Sequence, residues 1–293
     1  GDDNLPFENA GVLKTTGFEL QAKWSDKLSN GFAYSVGVAL SDDKAEVLSY
    51  PSNPTNKIGD GVLYKGYTVG DIWGYETGGI LQESDFDGVG PNGKPLYHGA
   101  YFKGGQPYPG YVWYQDLDHD GVITSGLSTV DDPGDKKVIG NNAPRYRYNI
   151  TANFQYKGFD LDLMFQGVGK RDYWLKDVSS YWGGGAGSWE TYNQSWTPER
   201  TDAKFPMYGS GIGSYAQSGY LLDASYIKLK QVILGYTFPK ALIGKVGLEK
   251  LRLNIAAYNL FTLSDVPKYY DSDYLSDAYP PKRTFSVGIQ VGF

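Results

Sequence analysis

Several absences in this 293-residue sequence narrow its function. There is no cysteine, which excludes a disulfide framework and a cysteine-ligated zinc site. His98 and His119 are the only histidines, and neither a nucleophile elbow nor a phosphate-binding glycine loop occurs. No run reaches the roughly 18 apolar residues of a membrane-spanning helix. Since the net charge is −6 and no long basic run occurs, we expect no nucleic-acid partner.

The residues that are abundant favour β-structure. Aromatic residues make up 16% of the chain, with 26 tyrosines, and there are 39 glycines. This composition is typical of an all-β protein with many turns and loops. The first residues, Gly1 to Asn4, include neither a methionine nor a signal peptide, so we expect the sequence to begin within a longer chain.

Strict alternation of apolar and polar residues is the strongest local pattern. In residues 146–156, even positions carry Tyr, Ile, Ala or Phe, and odd positions carry Arg, Asn, Thr or Gln. Residues 159–165 and 283–293 alternate in the same way. Such a period of two predicts β-strands with one polar and one apolar face. Lys157 and Gly158 alone separate the first two runs, which predicts a tight hairpin turn.

Seven strands are predicted in total, and several are near the 9–11 residues that cross a bilayer at a tilt. In the strand at 220–238 each face mixes polar and apolar residues, and we expect a β-bulge near Gln231 to shift the register of the strand. The predicted strands are 17–24, 31–42, 145–156, 159–168, 220–238, 249–262 and 283–293.

The connections between these strands alternate in length. Residues 25–30, 157–158 and 239–248 are short, whereas residues 43–144, 169–219 and 263–282 are long. Short turns on one side and long extracellular loops on the other are typical of an antiparallel transmembrane β-barrel. Because bacterial single-chain barrels have even strand numbers, seven strands predict an incomplete barrel. The alternative is a soluble β-sandwich, which would bury the apolar face in its core.

Several segments, in order along the chain, resemble the C-terminal part of the SusC/RagA family of TonB-dependent transporters. One segment is Gly-Val-Leu-Lys-Thr-Thr-Gly-Phe-Glu-Leu at 11–20, with Thr16 where the family usually has Asn. Others are Val-Gly-Asp-Ile-Trp-Gly-Tyr-Glu-Thr-Gly-Gly-Ile at 69–80, Pro-Arg-Tyr at 144–146 and Leu-Gly-Tyr-Thr-Phe-Pro at 234–239. Asn-Leu-Phe at 259–261 and Arg-Thr-Phe at 283–285 follow.

The resemblance implies that residues 1–293 are the C-terminal part of a 22-stranded outer-membrane barrel whose plug domain lies upstream. It implies import of glycans or peptides, a SusD-like surface lipoprotein as partner, and TonB acting through the missing N-terminal part. It also implies contact with outer-membrane lipid, a role for Phe293 as an assembly signal, and no enzymatic activity.

An acidic motif in the first long loop predicts a calcium site. Asp116, Asp118 and Asp120 alternate and are followed by Gly121, as in the first half of an EF-hand loop. The carbonyl of Val122 supplies a further oxygen in such loops. Position 12 is Leu127 in place of the usual glutamate, so Asp131, Asp132 or Asp135 would complete the site. The alternative is a solvated acidic turn.

Aromatic residues of the long loops are candidates for contacts with a substrate, because exposed rings favour binding surfaces. The alternative is that they pack the loops or form the interfacial girdle. The candidate aromatic residues are Trp73, Tyr75, Trp174, Trp182 and Trp189.

Two other functions compete with transport. One is a soluble calcium-dependent carbohydrate-binding β-sandwich, and the other is a glycoside hydrolase with paired carboxylates.

Overall fold

A computed structural model describes residues 10–174, 192–210, 215–266, 270–275 and 281–293. These residues form seventeen β-strands, and a short helix, α1, spans Lys240–Ile243. No helix within these ranges has the length and apolar character to span a membrane. The strands are β1 (Val12–Lys27), β2 (Ala33–Ser49), β3 (Asp71–Tyr75), β4 (Thr77–Ile80), β5 (Phe86–Val89), β6 (Pro95–Tyr97), β7 (Tyr101–Phe102), β8 (Val112–Tyr114), β9 (Val122–Ile123), β10 (Lys136–Asn141), β11 (Arg145–Tyr156), β12 (Phe159–Lys170), β13 (Asp172–Trp174), β14 (Leu221–Asp223), β15 (Tyr226–Thr237), β16 (Lys250–Ser264) and β17 (Thr284–Gly292).

Seven long strands form one sheet in the order β1-β2-β11-β12-β15-β16-β17. The five strand pairs from β2 to β17 are antiparallel, so the prediction of an antiparallel all-β fold is confirmed. The predicted hairpin is also present, with Tyr156 opposite Phe159. Lys157 and Gly158 have φ of 46° and 89°, and two positive φ values are the mark of a type I′ turn.

The two faces of this sheet differ in chemistry. One face exposes large apolar side chains, including Leu20, Leu234, Ile255, Val287 and Ile289. The other face carries cross-strand ion pairs of Arg147 with Asp43 and of Arg252 with Asp160. Within the described residues of this sheet and its connecting turns, no second layer covers the apolar face, as the soluble sandwich would require. A wall with lipid on its apolar side accounts for both faces.

The β-bulge predicted near Gln231 is present and lies at Lys230. Gln231 pairs with Met164, whereas Leu229 pairs with Phe165, so Lys230 is the extra residue. The shift lets Lys228 pair with Gln166 on the polar face. Without the bulge, the period of two would place Lys228 on the apolar face with Val232 and Leu234.

Several predicted regions differ from the structure. Strand β1 extends beyond the predicted 17–24 at both ends, and β13 lies within the predicted loop 169–219. The predicted strand 220–238 is divided into β14 and β15, because the carboxylate of Asp223 accepts a hydrogen bond from the Ser225 amide at 2.8 Å. The Ser225 amide therefore bonds within its own segment and not to a neighbouring strand. The predicted loop 43–144 is not irregular throughout, since β2 continues to Ser49 and β3–β10 follow.

The chain divides into two compact units. The wall unit comprises Thr16–Lys44, Pro144–Arg171 and Asp223–Phe293, and the connection unit comprises Gly1–Thr15, Ala45–Ala143 and Asp172–Leu222. The connection unit has its own apolar clusters. Val47, Ile58, Tyr64 and Tyr67 form one cluster, and Tyr75, Val112, Tyr114 and Ile123 form another.

Candidate functional site

The polar face of the wall unit carries a buried ionic network. Lys228 is only 2% exposed, and its Nζ donates to Asp271 Oδ2 at 2.9 Å and to Asp273 Oδ2 at 2.8 Å. Lys230 also donates to Asp273 Oδ2, at 2.9 Å. A buried charge is tolerated only when it is paired in this way. The network therefore fastens residues 270–275, which we call the strap, to strand β15.

The charge state of Asp273 follows from its partners. Burial alone raises the pKa of Asp273, but hydrogen bonds from Lys228, Tyr226 and Lys230 outweigh it and lower the pKa to about 2. The carboxylate is therefore ionised throughout the physiological pH range, as the two lysines require.

A cavity of about 980 Å³ lies on the same face. Its lining includes Asn149 of β11, Gln166 of β12, and Asp273 and Tyr274 of the strap. Asn149 and Gln166 are paired across the two strands, so the cavity has a floor of adjacent polar side chains. The arrangement can hold a hydrated ligand through several polar contacts.

The acidic motif in the connection unit brings its three aspartates together. The carboxylates of Asp116, Asp118 and Asp120 have ligand atoms within 4.8 Å of one another. Asp116 Oδ2 accepts a hydrogen bond from the Gly121 amide at 2.8 Å, while Asp116 Oδ1 is buried and has no hydrogen-bond partner. His119 and Gly121 have φ of 63° and 86°, which turns the chain around the three carboxylates.

The electrostatics of this motif suit a cation. A hydrogen bond from the Asp120 amide lowers the pKa of Asp118. Burial and repulsion from Asp135 and Asp120 together outweigh that bond, so the pKa of Asp118 is raised. For Asp116, burial raises the pKa, but hydrogen bonds from Gly121 and His119 lower it overall. Bound calcium would relieve the repulsion between the carboxylates.

Asp135 and Val122 were predicted as further ligands of this site. Asp135 is fully buried, and its two oxygens accept hydrogen bonds from the Leu117 and Thr124 amides, both at 2.7 Å. It therefore holds the two ends of the acidic loop together. The Val122 amide donates to Asp120 Oδ1 at 2.8 Å. That either residue also donates an oxygen to a cation stays a prediction.

The predicted substrate-binding aromatics lie in different environments. Trp73 packs against the first apolar cluster and donates a hydrogen bond to the Tyr64 hydroxyl at 2.9 Å. Tyr75 and Trp174 are buried, which favours the packing alternative for these two rings. Trp182 and Trp189 lie outside the described residues. Phe293 follows β17 and is exposed, and its role in assembly stays a prediction.

The sequence patterns did not single out the network of Lys228, Asp271 and Asp273. One signal was present, because Lys228 and Lys230 lie in a strand whose alternation is inconsistent. An inconsistent strand with two lysines indicates a register shift that turns both toward polar partners. The partners themselves come from a segment 43–45 residues away, which alternation does not reveal.

Comparison with known proteins gives consistent relatives, although no protein-family model matches the sequence. TonB-dependent receptor P3 of Formosa agariphila is 27% identical over 98% of this chain and 29% of its own length. TonB-dependent receptor SusC of Bacteroides thetaiotaomicron is 26% identical over 62% of this chain and 19% of its own length. The chain spans about three tenths of the length of the Formosa receptor P3.

Solved structures share the fold. The RagAB peptide transporter superimposes with a TM-score of 0.71 over 98% of this chain and 30% of that chain, at 18% identity. The RagAB peptide importer in its open-open state gives a TM-score of 0.66 at 20% identity. The predicted fold class, an antiparallel transmembrane barrel wall, is thereby confirmed.

Proposed function

We propose that this chain, which is an outer-membrane barrel wall of the SusC/RagA type of TonB-dependent receptor, forms part of a nutrient importer. The observation that supports the proposal best is the single sheet with an exposed apolar face and an ion-paired polar face. Lipid would contact the first face and the transport path the second. The relatives named above are receptors and transporters, and we propose no enzymatic activity.

The proposed substrates are oligosaccharides or peptides, and the proposed partners are a SusD-like lipoprotein and TonB. RagAB is a peptide transporter, which supports a peptide as one option. Asn149, Gln166 and the charged side chains in the cavity on the wall support a substrate that carries polar groups. In this proposal TonB acts through a part of the protein that precedes the sequence.

Uptake by intact cells tests this function. Cells that lack the full-length protein should lose uptake of a labelled peptide pool or of labelled oligosaccharides, and the gene should restore it. Dissipating the proton motive force should abolish the restored uptake, because TonB-driven transport needs it. A full-length protein that stays soluble without detergent and binds sugars only with calcium would instead support the sandwich alternative.

We also propose that Asp116, Asp118 and Asp120 hold a structural calcium ion. The support is their convergence within 4.8 Å and the buried, unpartnered Oδ1 of Asp116. Calcium prefers six to eight oxygen ligands, and three carboxylates with one carbonyl supply a large part of such a set. The ion would rigidify residues 116–124.

Calcium should slow hydrogen exchange in residues 116–124 of the full-length protein. We expect a dissociation constant on the order of 10⁻⁴ to 10⁻³ M, as for extracellular calcium modules. The double substitution Asp118→Asn with Asp120→Asn should abolish the effect, because two of the three charges are lost. Asp202→Asn, an exposed aspartate of the connection unit outside the acidic motif, is the matched control and should retain it. Equal protection by calcium in both variants would refute the site.

A further inference from the structure

Two hollows of the described wall unit lie on its polar face, at opposite ends of the same strands. The larger, of about 980 Å³, lies where the strands meet the long connections, and Asn149 is part of its floor. The smaller, of about 600 Å³, lies beside the hairpin turn at Lys157 and Gly158 and includes Asn153. If the long connections are extracellular, a ligand that arrives from outside reaches the larger cavity first.

The larger cavity presents charges of both signs. Its lining includes three cations, Arg147, Arg171 and Lys230, and two carboxylates, Glu19 and Asp273. Arg147 is bound to Asp43 in a pair that is about half exposed, and exposed pairs exchange partners at little cost. A ligand that carries an ammonium and a carboxylate could therefore bind through charge-assisted hydrogen bonds.

Aromatic surface is scarce by comparison. Tyr226 is 7% exposed, and the ring of Tyr148 lies against Gly167 with its hydroxyl bound to the Tyr226 carbonyl at 3.2 Å. Among the described lining residues, Tyr274, at 64% exposure, offers the most open ring. A neutral oligosaccharide has no charge that could replace either partner of the half-exposed Arg147–Asp43 pair.

We propose that the larger cavity is a binding subsite for peptide segments that carry both positive and negative charges. The proposal rests on the proposed transport function and deepens it by naming the substrate class. The strap forms part of the cavity lining, and Lys228 fixes its position through Asp271 and Asp273. The cavity is thus preformed, which reduces the entropic cost of binding.

Because the sequence contains no cysteine, a single thiol can report on the cavity. Asn149→Cys places it in the larger cavity, and Asn153→Cys, four residues further along the same face, is the matched control. The full-length variants in detergent are labelled with a maleimide, alone and with a pool of synthetic hexapeptides that each contain Lys and Glu. A neutral hexasaccharide is the second probe.

The peptide pool should slow labelling at position 149 about tenfold at ~90% occupancy, and should leave position 153 unchanged. The hexasaccharide should protect neither position. In calorimetry, Arg147→Gln should weaken binding of the pool about tenfold, which checks the result without a thiol.

Two outcomes overturn the subsite. Protection of position 149 by the hexasaccharide and not by the peptides would assign the cavity to a glycan. Uptake of peptides by cells, with position 149 unprotected and Arg147→Gln without effect, would refute the subsite and leave the transport proposal intact. Loss of all uptake would instead refute the transport proposal itself.

Discussion

Replacing Lys228 with methionine is expected to release the strap from the wall. Methionine retains most of the side-chain volume, so the change removes the charge and leaves Asp271 and Asp273 without their buried partner. Removing one member of a buried ion pair costs about 3–5 kcal/mol. The Tyr274 and Leu275 amides donate hydrogen bonds to the Asp271 carbonyl within the strap. If the cost appears as local opening of the strap, their amide hydrogens should exchange with solvent at least about 100-fold faster.

Lys230→Met is the control for this prediction. Lys230 also binds Asp273, but it is 25% exposed and makes a single ion pair. In this variant Asp273 keeps its buried partner Lys228, so hydrogen exchange in the strap should change by less than about tenfold. Hydrogen exchange of the full-length protein, followed by mass spectrometry, measures both variants. Unchanged exchange in Lys228→Met would show that packing of Leu275, and not the ion pairs, holds the strap.

The same network has a defined pH response. The pKa of Asp273 is about 2 in the folded protein, below its ordinary value of 3.8. A lowered pKa means that the stabilisation is complete above about pH 4 and is lost as the pH falls toward 2. The strap should therefore stay in place from pH 5 to pH 8.

The strands of the wall could be predicted from the sequence because the residue patterns that determine them lie within the strands and turns themselves. Alternation at 146–156 sets the two faces of β11, and the two residues Lys157 and Gly158 leave room only for a tight turn. The bulge at Lys230 could also be predicted, because Lys228 and Lys230 occupy the same alternating positions as the apolar residues Val232 and Leu234. Each of these signals lies within about ten residues of the feature that it predicts.

The strap and the connection unit were beyond such reasoning because their contacts are distant in sequence. Lys228 meets carboxylates 43 and 45 residues away, and the buried Gln217 donates to the Tyr114 hydroxyl 103 residues away. Asp135 was predicted as a ligand from its charge alone. Its two bonds to the Leu117 and Thr124 amides depend on how the acidic loop folds back.

The apolar face provides the second large expected effect. Ile289→Arg should destabilise the membrane-inserted full-length protein by about 2–4 kcal/mol, the cost of arginine on a lipid-facing strand near the bilayer midplane. Ile289 is 68% exposed and lies next to Gly288, the central residue of the nine-residue strand β17. Unfolding by urea in liposomes measures this free energy.

Ser286→Arg is the matched control, because it places the same side chain three residues earlier in β17, on the opposite, polar face, where the residue across the sheet is Ala256. There the guanidinium stays in water, and the change should lie within about 0.5 kcal/mol of zero. If Ile289→Arg were equally neutral, the exposed apolar face would be in contact with water and not with lipid. The barrel-wall interpretation requires the two substitutions to differ, since only lipid distinguishes the faces so strongly.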